Sequence, residues 1–321
     1  MTAAIITILV GFIVLVVGAE LLVRGASALA LRNGISPLVV GLTVVAFGTS
    51  SPELVVAVKA SLSGQGEIAL GTVIGSNICN IVLILGSAAL VRPITIHLQV
   101  LRFDLPIMIG VTLIGAALFM LSTLTRLHGA LLLAGILIYC MVTIALARRE
   151  KDSEGIKHYD DEVEIAQKMR LPAALTFIVA GPGLLILGSN WILKGAVVLA
   201  EAWGVTQAVI GLTVVAIGGS LPEHATSISA ALKGKGDIAV GNVIGSNIFN
   251  ILSVTGAAAV ASPIPVTGIS KVDLGVMLLV AFIVFPLMKS DRQLKRWEGI
   301  LMLAIYAGYL LYLFKYRGGG S

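Results

Sequence analysis

Apolar positions in this chain come in long unbroken runs, not in the spaced stripes of a soluble helix. A membrane-spanning helix needs about 20 predominantly apolar residues. Ten such runs can be read, at roughly 3–23, 36–62, 67–91, 103–122, 127–147, 173–200, 206–232, 238–261, 272–288 and 297–314. One sizeable polar stretch, Arg148 to Arg170, carries both signs and separates five runs from five. The pattern predicts an all-α integral membrane protein with ten transmembrane helices. It divides the chain into a five-helix unit over 1–148, a polar linker over 149–171 and a second five-helix unit over 172–317. The closing Gly-Gly-Gly-Ser, 318–321, reads as an appended expression tail.

Composition agrees with this reading. The chain is 57% hydrophobic and 12% charged, against about 25% charged in a soluble domain. Lys and Arg are scattered at the ends of apolar runs, with no basic stripe for nucleic acid. Assigned to the nearer loop, 16 fall on the side holding the linker and 6 on the side holding both termini. Basic loops stay inside, so the linker is expected in the cytoplasm and both termini outside. The first apolar run is too long and lacks the basic start of a cleavable signal, which points to the cell membrane as the location. Cys79 and Cys140 stand apart, without metal-type spacing.

The two halves are related. Gly41–Gly86 aligns with Gly211–Gly256 at a constant offset of 170, with 26 of 46 positions identical. That degree of self-similarity records a duplication. Because each unit has an odd number of spans, corresponding helices cross in opposite directions. The result is an inverted repeat, a plan in which secondary transporters bind substrate near the midplane.

The repeat carries the chemistry. Span two reads Gly48-Thr49-Ser50-Ser51-Pro52-Glu53 and span seven Gly218-Gly219-Ser220-Leu221-Pro222-Glu223. A carboxylate inside a bilayer is costly and marks an ion or substrate path. Pro52 has no N–H, so the Gly48 carbonyl loses its helical partner and a kink is expected. Ala46, Thr49, Ser50 and Glu53 are spaced for one helical face. Spans three and eight repeat Gly-Ser-Asn-Ile-x-Asn, at Gly75–Asn80 and Gly245–Asn250, with Ser76 and Asn80, and Ser246 and Asn250, four apart. Sets made only of oxygen suit hard cations such as Ca²⁺ or Na⁺. Thr43 and Thr213 read as packing residues, and the repeated glycines as points of close helix approach.

With these motifs in place, the chain resembles the cation/calcium exchanger superfamily, in particular the sodium/calcium exchangers and their prokaryotic calcium/sodium antiporter relatives. The resemblance covers essentially the whole chain. It implies antiport by alternating access, with sodium driving calcium and helices one and six sliding as a gate. It further implies a cation site formed by Glu53, Thr49, Ser50, Ser76, Asn80 and the Ala46 carbonyl from one repeat. The other repeat would supply Glu223, Ser220, Ser246, Asn250 and the Ala216 carbonyl. Asn77 and Asn247 match positions that support the helices. No resident cofactor and no obligatory protein partner are implied; the partners are inorganic cations and lipid.

Two positions depart from the family pattern. Gly219 stands where many relatives have Thr, and Asn250 where several well-known exchangers have Asp. Two carboxylates remain, matching one Ca²⁺ or two Na⁺ and leaving a third Na⁺ uncompensated. His224, one residue beyond Glu223, points about 100° away from the Glu face, so it reads as an interhelical hydrogen-bonding group; the sharper reading has it tune proton competition at Glu223. The acidic residues Asp160, Asp161, Glu162 and Glu164 lack EF-hand spacing. The nearest rival function keeps the fold and changes the ions, to protons or to Mg²⁺ or Mn²⁺. A channel would line a pore with the same helices but would not need the inverted repeat. An intramembrane enzyme would need two carboxylates with separated pKa values, and two near-equal environments argue against that.

Overall fold

The computed structural model describes residues 1–33, 36–149, 169–202, 216–266 and 269–316. The linker residues 150–168, including His158 and the acidic group at 160–164, lie outside the described residues. So do the first half of the seventh span, with Gly211 and Thr213, and the tail at 317–321.

Apolar runs of this length, with no water to satisfy backbone groups, become helices. Along the first repeat these are α1 (Thr2–Asn33), α2 (Leu38–Thr49), α3 (Ser51–Leu62), α4 (Gly66–Val91), α5 (Val100–Leu118) and α6 (Arg126–Arg149). The second repeat supplies α7 (Leu171–Ala202), α8 (Ala216–Gly219), α9 (Leu221–Leu232), α10 (Gly236–Ala261), α11 (Lys271–Lys289) and α12 (Arg296–Tyr316). Seven of the described helices are long and apolar enough to cross a membrane, and the bent pair α2–α3 makes an eighth. α12 sits at the tenth predicted span, and α8–α9 cover the part of the seventh that is described.

The largest departure from the predicted boundaries is at α1. The run was expected to end near residue 23, at Arg24, yet the helix continues to Asn33. Arg24 does not break it because its guanidinium donates to Glu20 one turn back, an i,i+4 pairing that helices favour. Glu20 also pairs with Lys233 at the end of α9, tying α1 to the second repeat. At 32 residues, α1 is about 48 Å long, well beyond the roughly 30 Å hydrocarbon layer.

Burial ranks the helices. In α4 and α10, 72% and 83% of the apolar stretch is buried, against 28% in α1 and 22% in α7. α4 and α10 therefore form the centre, and α1 and α7 lie at the edge, packed on each other as an antiparallel pair. Glycines make that contact. Ideal Cβ atoms at Gly11, Gly18, Gly25 and Gly195 would lie 2.9 Å from the Gly188, Gly181 and Ala174 carbonyls and 2.8 Å from that of Ala4, respectively. The glycines recur every seven residues on both helices, so two backbones approach closely over several turns. The central helices approach the same way: a Cβ at Gly245 would lie 2.6 Å from the Leu42 carbonyl of α2.

Pseudo-symmetry shows in small elements that the sequence pattern did not reveal. β1 (Ile94–Thr95) pairs antiparallel with β4 (Gln293–Leu294), and β2 (Thr123–Leu124) with β3 (Ile264–Pro265). The offset of 170 that relates the repeats maps one pair onto the other. Likewise the turns after α3 and α9 close on Gly64 and Gly234, at φ 73° and 74°, a left-handed conformation that glycine adopts freely. The N–H groups of Gln65 and Lys235 then donate to the Ala60 and Ala230 carbonyls, both at 2.8 Å.

Candidate functional site

The expected kink is present, and it sets the site. The chain bends by 46° between α2 and α3. The break falls at Ser50, with φ −82° and ψ 3°, and its repeat mate Ser220 has φ −91° and ψ 10°. Pro52 and Pro222 sit in the first turn of α3 and α9, where a missing N–H is harmless. Glu53 and Glu223 occupy the same first turns, at the helix ends that favour negative charge. Both are buried, 2% and 1% exposed.

The central helices bring the amides. In α4 and α10 the regular α-helix gives way to a wider π-helical stretch starting at Asn80 and at Asn250. Such widenings re-aim side chains and gather at functional sites. Four asparagines then cross-link the repeats. Asn80 Nδ2 donates to Asn247 Oδ1 at 3.4 Å, and Asn250 Nδ2 donates to Asn77 Oδ1 at 3.1 Å. Asn77 Nδ2 donates to the Asn247 carbonyl at 3.4 Å. These bonds turn the amide nitrogens of Asn80 and Asn250 toward the opposite repeat, so their oxygens are the ends left over. Asn77 and Asn247 act as supports.

Other bonds draw the halves together. Ser50 Oγ donates to Glu223 Oε1 at 3.2 Å, and Ser220 Oγ to Ser76 Oγ at 3.4 Å. Among the described residues, six buried side-chain oxygens of the expected set have no hydrogen-bond partner: Glu53 Oε1 and Oε2, Glu223 Oε2, Asn80 Oδ1, Asn250 Oδ1 and Ser246 Oγ. Buried polar atoms are normally paired, and unpaired acceptors on two carboxylates, two amides and a hydroxyl are a donor set for a hard cation. The Ala46 carbonyl accepts the Ser50 N–H at 2.9 Å and the Thr49 hydroxyl at 3.3 Å. Ala216 lies in α8, one turn before Ser220.

His224 faces away from this set. Its Nε2 lies 3.0 Å from Ser87 Oγ, which itself donates to the Ile84 carbonyl at 3.0 Å. The histidine thus bridges α9 to α4. Thr43 bonds its own helix, donating to the Val39 carbonyl at 2.7 Å.

The motif reading passed over Asn242, Ser227 and Thr226, all buried at 0% exposure. Asn242 Oδ1 accepts the Thr49 hydroxyl at 3.0 Å, and its Nδ2 donates to Ser227 Oγ at 2.9 Å and the Glu223 carbonyl at 3.3 Å. One signal was available: the first repeat has Val56 and Ala57 where Thr226 and Ser227 stand, a break in polarity, and Thr72 in place of Asn242. Three further buried carboxylates, Asp104, Asp273 and Glu298, were also missed. Tyr309 donates to Asp273 Oδ1 at 3.0 Å, joining α11 to α12. Its repeat mate Tyr139 lies beside Asp104, joining α5 to α6.

Comparison with known proteins agrees with this architecture. Residues 3–145 and 173–315 match the family described as sodium/calcium exchanger protein. The chain is 36% identical to the putative antiporter CaxA of Alkalimonas amylolytica, over 98% of this chain and 99% of that one. It is 39% identical to the inner membrane protein YrbG of Escherichia coli (95% and 94% covered) and 32% identical to the sodium/calcium exchanger MaX1 of Methanosarcina acetivorans (98% and 99%). A solved structure of the sodium-calcium exchanger NCX_Mj superposes with a TM-score of 0.82 at 28% identity, covering 97% of this chain and 98% of that one. The fold is thus the two-repeat, ten-helix fold of that exchanger, and the protein is a membrane transporter, not an enzyme. This chain belongs to the sodium/calcium exchanger family.

Proposed function

We propose that this protein exchanges Na⁺ for Ca²⁺ across a cell membrane by alternating access, at one midplane site built from both repeats. The observation that carries the reading is the set of six unpaired buried oxygens contributed by Glu53, Glu223, Asn80, Asn250 and Ser246. In this reading the ligands are those five residues with Thr49, Ser50, Ser76, Ser220 and the Ala46 and Ala216 carbonyls. Two carboxylates balance one Ca²⁺ or two Na⁺, so the two cargoes compete for the same charge. The linker faces the cytoplasm and both termini face outward, in keeping with the distribution of Lys and Arg. The peripheral pair α1 and α7 moves across the buried centre as the gate. Support comes also from the relatives, two of which are sodium/calcium exchangers.

The test is uptake of ⁴⁵Ca²⁺ into proteoliposomes loaded with Na⁺. Uptake is expected to require the outward Na⁺ gradient and to stop when it is collapsed with a sodium ionophore. Uptake driven instead by a proton gradient, or by Mn²⁺ or Mg²⁺ in place of Ca²⁺, would favour the ion-swapped reading of the same fold.

Gly219 supplies a second expected result. A Cβ added there meets no described atom within 4 Å, so a larger residue is accommodated. Gly219→Thr adds a hydroxyl at the repeat mate of Thr49. It is expected to lower, about threefold, the Na⁺ concentration that half-inhibits Ca²⁺ uptake, corresponding to about 0.7 kcal/mol for one added neutral oxygen. An unchanged Na⁺ inhibition curve would place residue 219 away from the ion.

A further inference from the structure

The Thr49 hydroxyl has several acceptors around it, the Glu223 carboxylate among them. Thr49 Oγ1 lies 3.0 Å from Asn242 Oδ1, 3.1 Å from the Val45 carbonyl and 3.3 Å from the Ala46 carbonyl. Asn242 cannot turn its amide around freely. Its Nδ2 donates to Ser227 Oγ at 2.9 Å and to the Glu223 carbonyl at 3.3 Å, which uses both N–H groups. The oxygen must therefore face Thr49, an orientation fixed by the network around it. Thr49, Asn242 and Ser227 are all 0% exposed, so water does not compete for these bonds.

We propose that Asn242 is a positioning residue for Na⁺ in the exchange reaction. By drawing the Thr49 proton to itself, it keeps that proton off the Ala46 carbonyl. Two neutral oxygens, the Thr49 hydroxyl and the Ala46 carbonyl, then keep lone pairs for a cation. Without the amide the proton turns to the acceptors already within reach, among them the Ala46 carbonyl, whose other lone pair already accepts the Ser50 N–H. Neutral oxygens matter more to a monovalent ion, whereas a divalent ion takes most of its binding from carboxylates. The other repeat has no counterpart: residue 219 is Gly, and Thr72, the mate of Asn242, donates to the Ile68 carbonyl of its own helix at 2.8 Å. The device thus serves one half of the site, the half that retains its threonine.

This inference rests on the exchange reading, and its test separates the two. Purified wild type, Asn242→Ala, Thr49→Val and the double variant are titrated with NaCl and, separately, with CaCl₂, and cation binding is read as thermal stabilisation. Asn242→Ala is expected to raise the half-saturating Na⁺ concentration about tenfold, which corresponds to about 1.4 kcal/mol. The half-saturating Ca²⁺ concentration should move by less than about twofold. Thr49→Val should cost at least as much for Na⁺, and adding Asn242→Ala to it should change nothing further, the signature of one shared interaction. Equal losses for both ions, or additive effects in the double variant, would overturn the positioning role and leave exchange standing. A wild type stabilised by neither ion would overturn exchange and the inference together. If Asn242→Ala does not fold, Asn242→Thr, the residue of the first repeat, carries the same titrations.

Discussion

Glu53→Gln is expected to abolish Na⁺-driven ⁴⁵Ca²⁺ uptake while leaving the protein folded. The substitution keeps the shape of the side chain and removes one of the two carboxylate charges in the proposed site. Neither Glu53 oxygen has a hydrogen-bond partner among the described residues, so no side-chain bond described there is lost with the charge. Removing a costly buried charge is not expected to weaken the fold. The loss falls on the bound divalent ion. Breaking a buried ion pair costs about 3–5 kcal/mol, which is a factor of at least about 100 in apparent affinity. Uptake should therefore fall to background at micromolar Ca²⁺, with an unchanged elution profile and melting temperature in the absence of ions. Glu223→Gln should behave alike for transport, although it also alters the bond from Ser50. Wild-type uptake by the Glu53→Gln protein would remove Glu53 from the ion path and with it the proposed site.

Gly188→Val is expected to be the most damaging substitution outside the site. A Cβ at this position would lie 2.6 Å from the Leu15 nitrogen and 2.7 Å from the Gly11 carbonyl oxygen. Both are backbone atoms, so no side chain can swing aside and the two helices must part. In a bilayer, close packing is itself the main force between helices. Forced overpacking costs about 1–3 kcal/mol in a tight interior, and separating this contact also loosens the glycine contacts on either side of it. Gly183 on the same helix is the internal control, because a Cβ there meets no described atom within 4 Å. Gly183→Val should melt close to wild type and Gly188→Val many degrees lower, with transport lost in parallel. Equal melting temperatures for the two variants would show that the glycine register does not hold α1 against α7.

Much of the architecture could be read from residue order. Apolar run length implied helices because lipid offers no partners to open backbone. The odd number of runs in each duplicated half implied inversion, and Pro52 implied the bend that appears at Ser50. Glu53 and Glu223 stood out because an intramembrane charge needs a reason. Asn77 and Asn247 could be assigned as supports from motif position, and their amides do brace Asn80 and Asn250 from the opposite repeat. Boundaries were less legible where charge was taken as an end signal: Arg24 is satisfied by Glu20 on its own helix, so α1 runs on to Asn33.

What sequence alone determined, then, was the membrane class, the inverted duplication and the residue types of the proposed site. Each depends on local composition, on spacing or on a comparison of the chain with itself. What only the tertiary structure decided was pairing between distant residues. The π-helical widening at Asn80 and Asn250, the seven-residue glycine register between α1 and α7, and the bonds of Asn242 to Thr49 and Ser227 all depend on which helix faces which. Residue order constrains the periodicity along one helix, but the azimuth of its neighbour is set by packing across the whole bundle. Asn242 was therefore visible as a letter that broke the repeat, and its role emerged only when α10 was laid against α2.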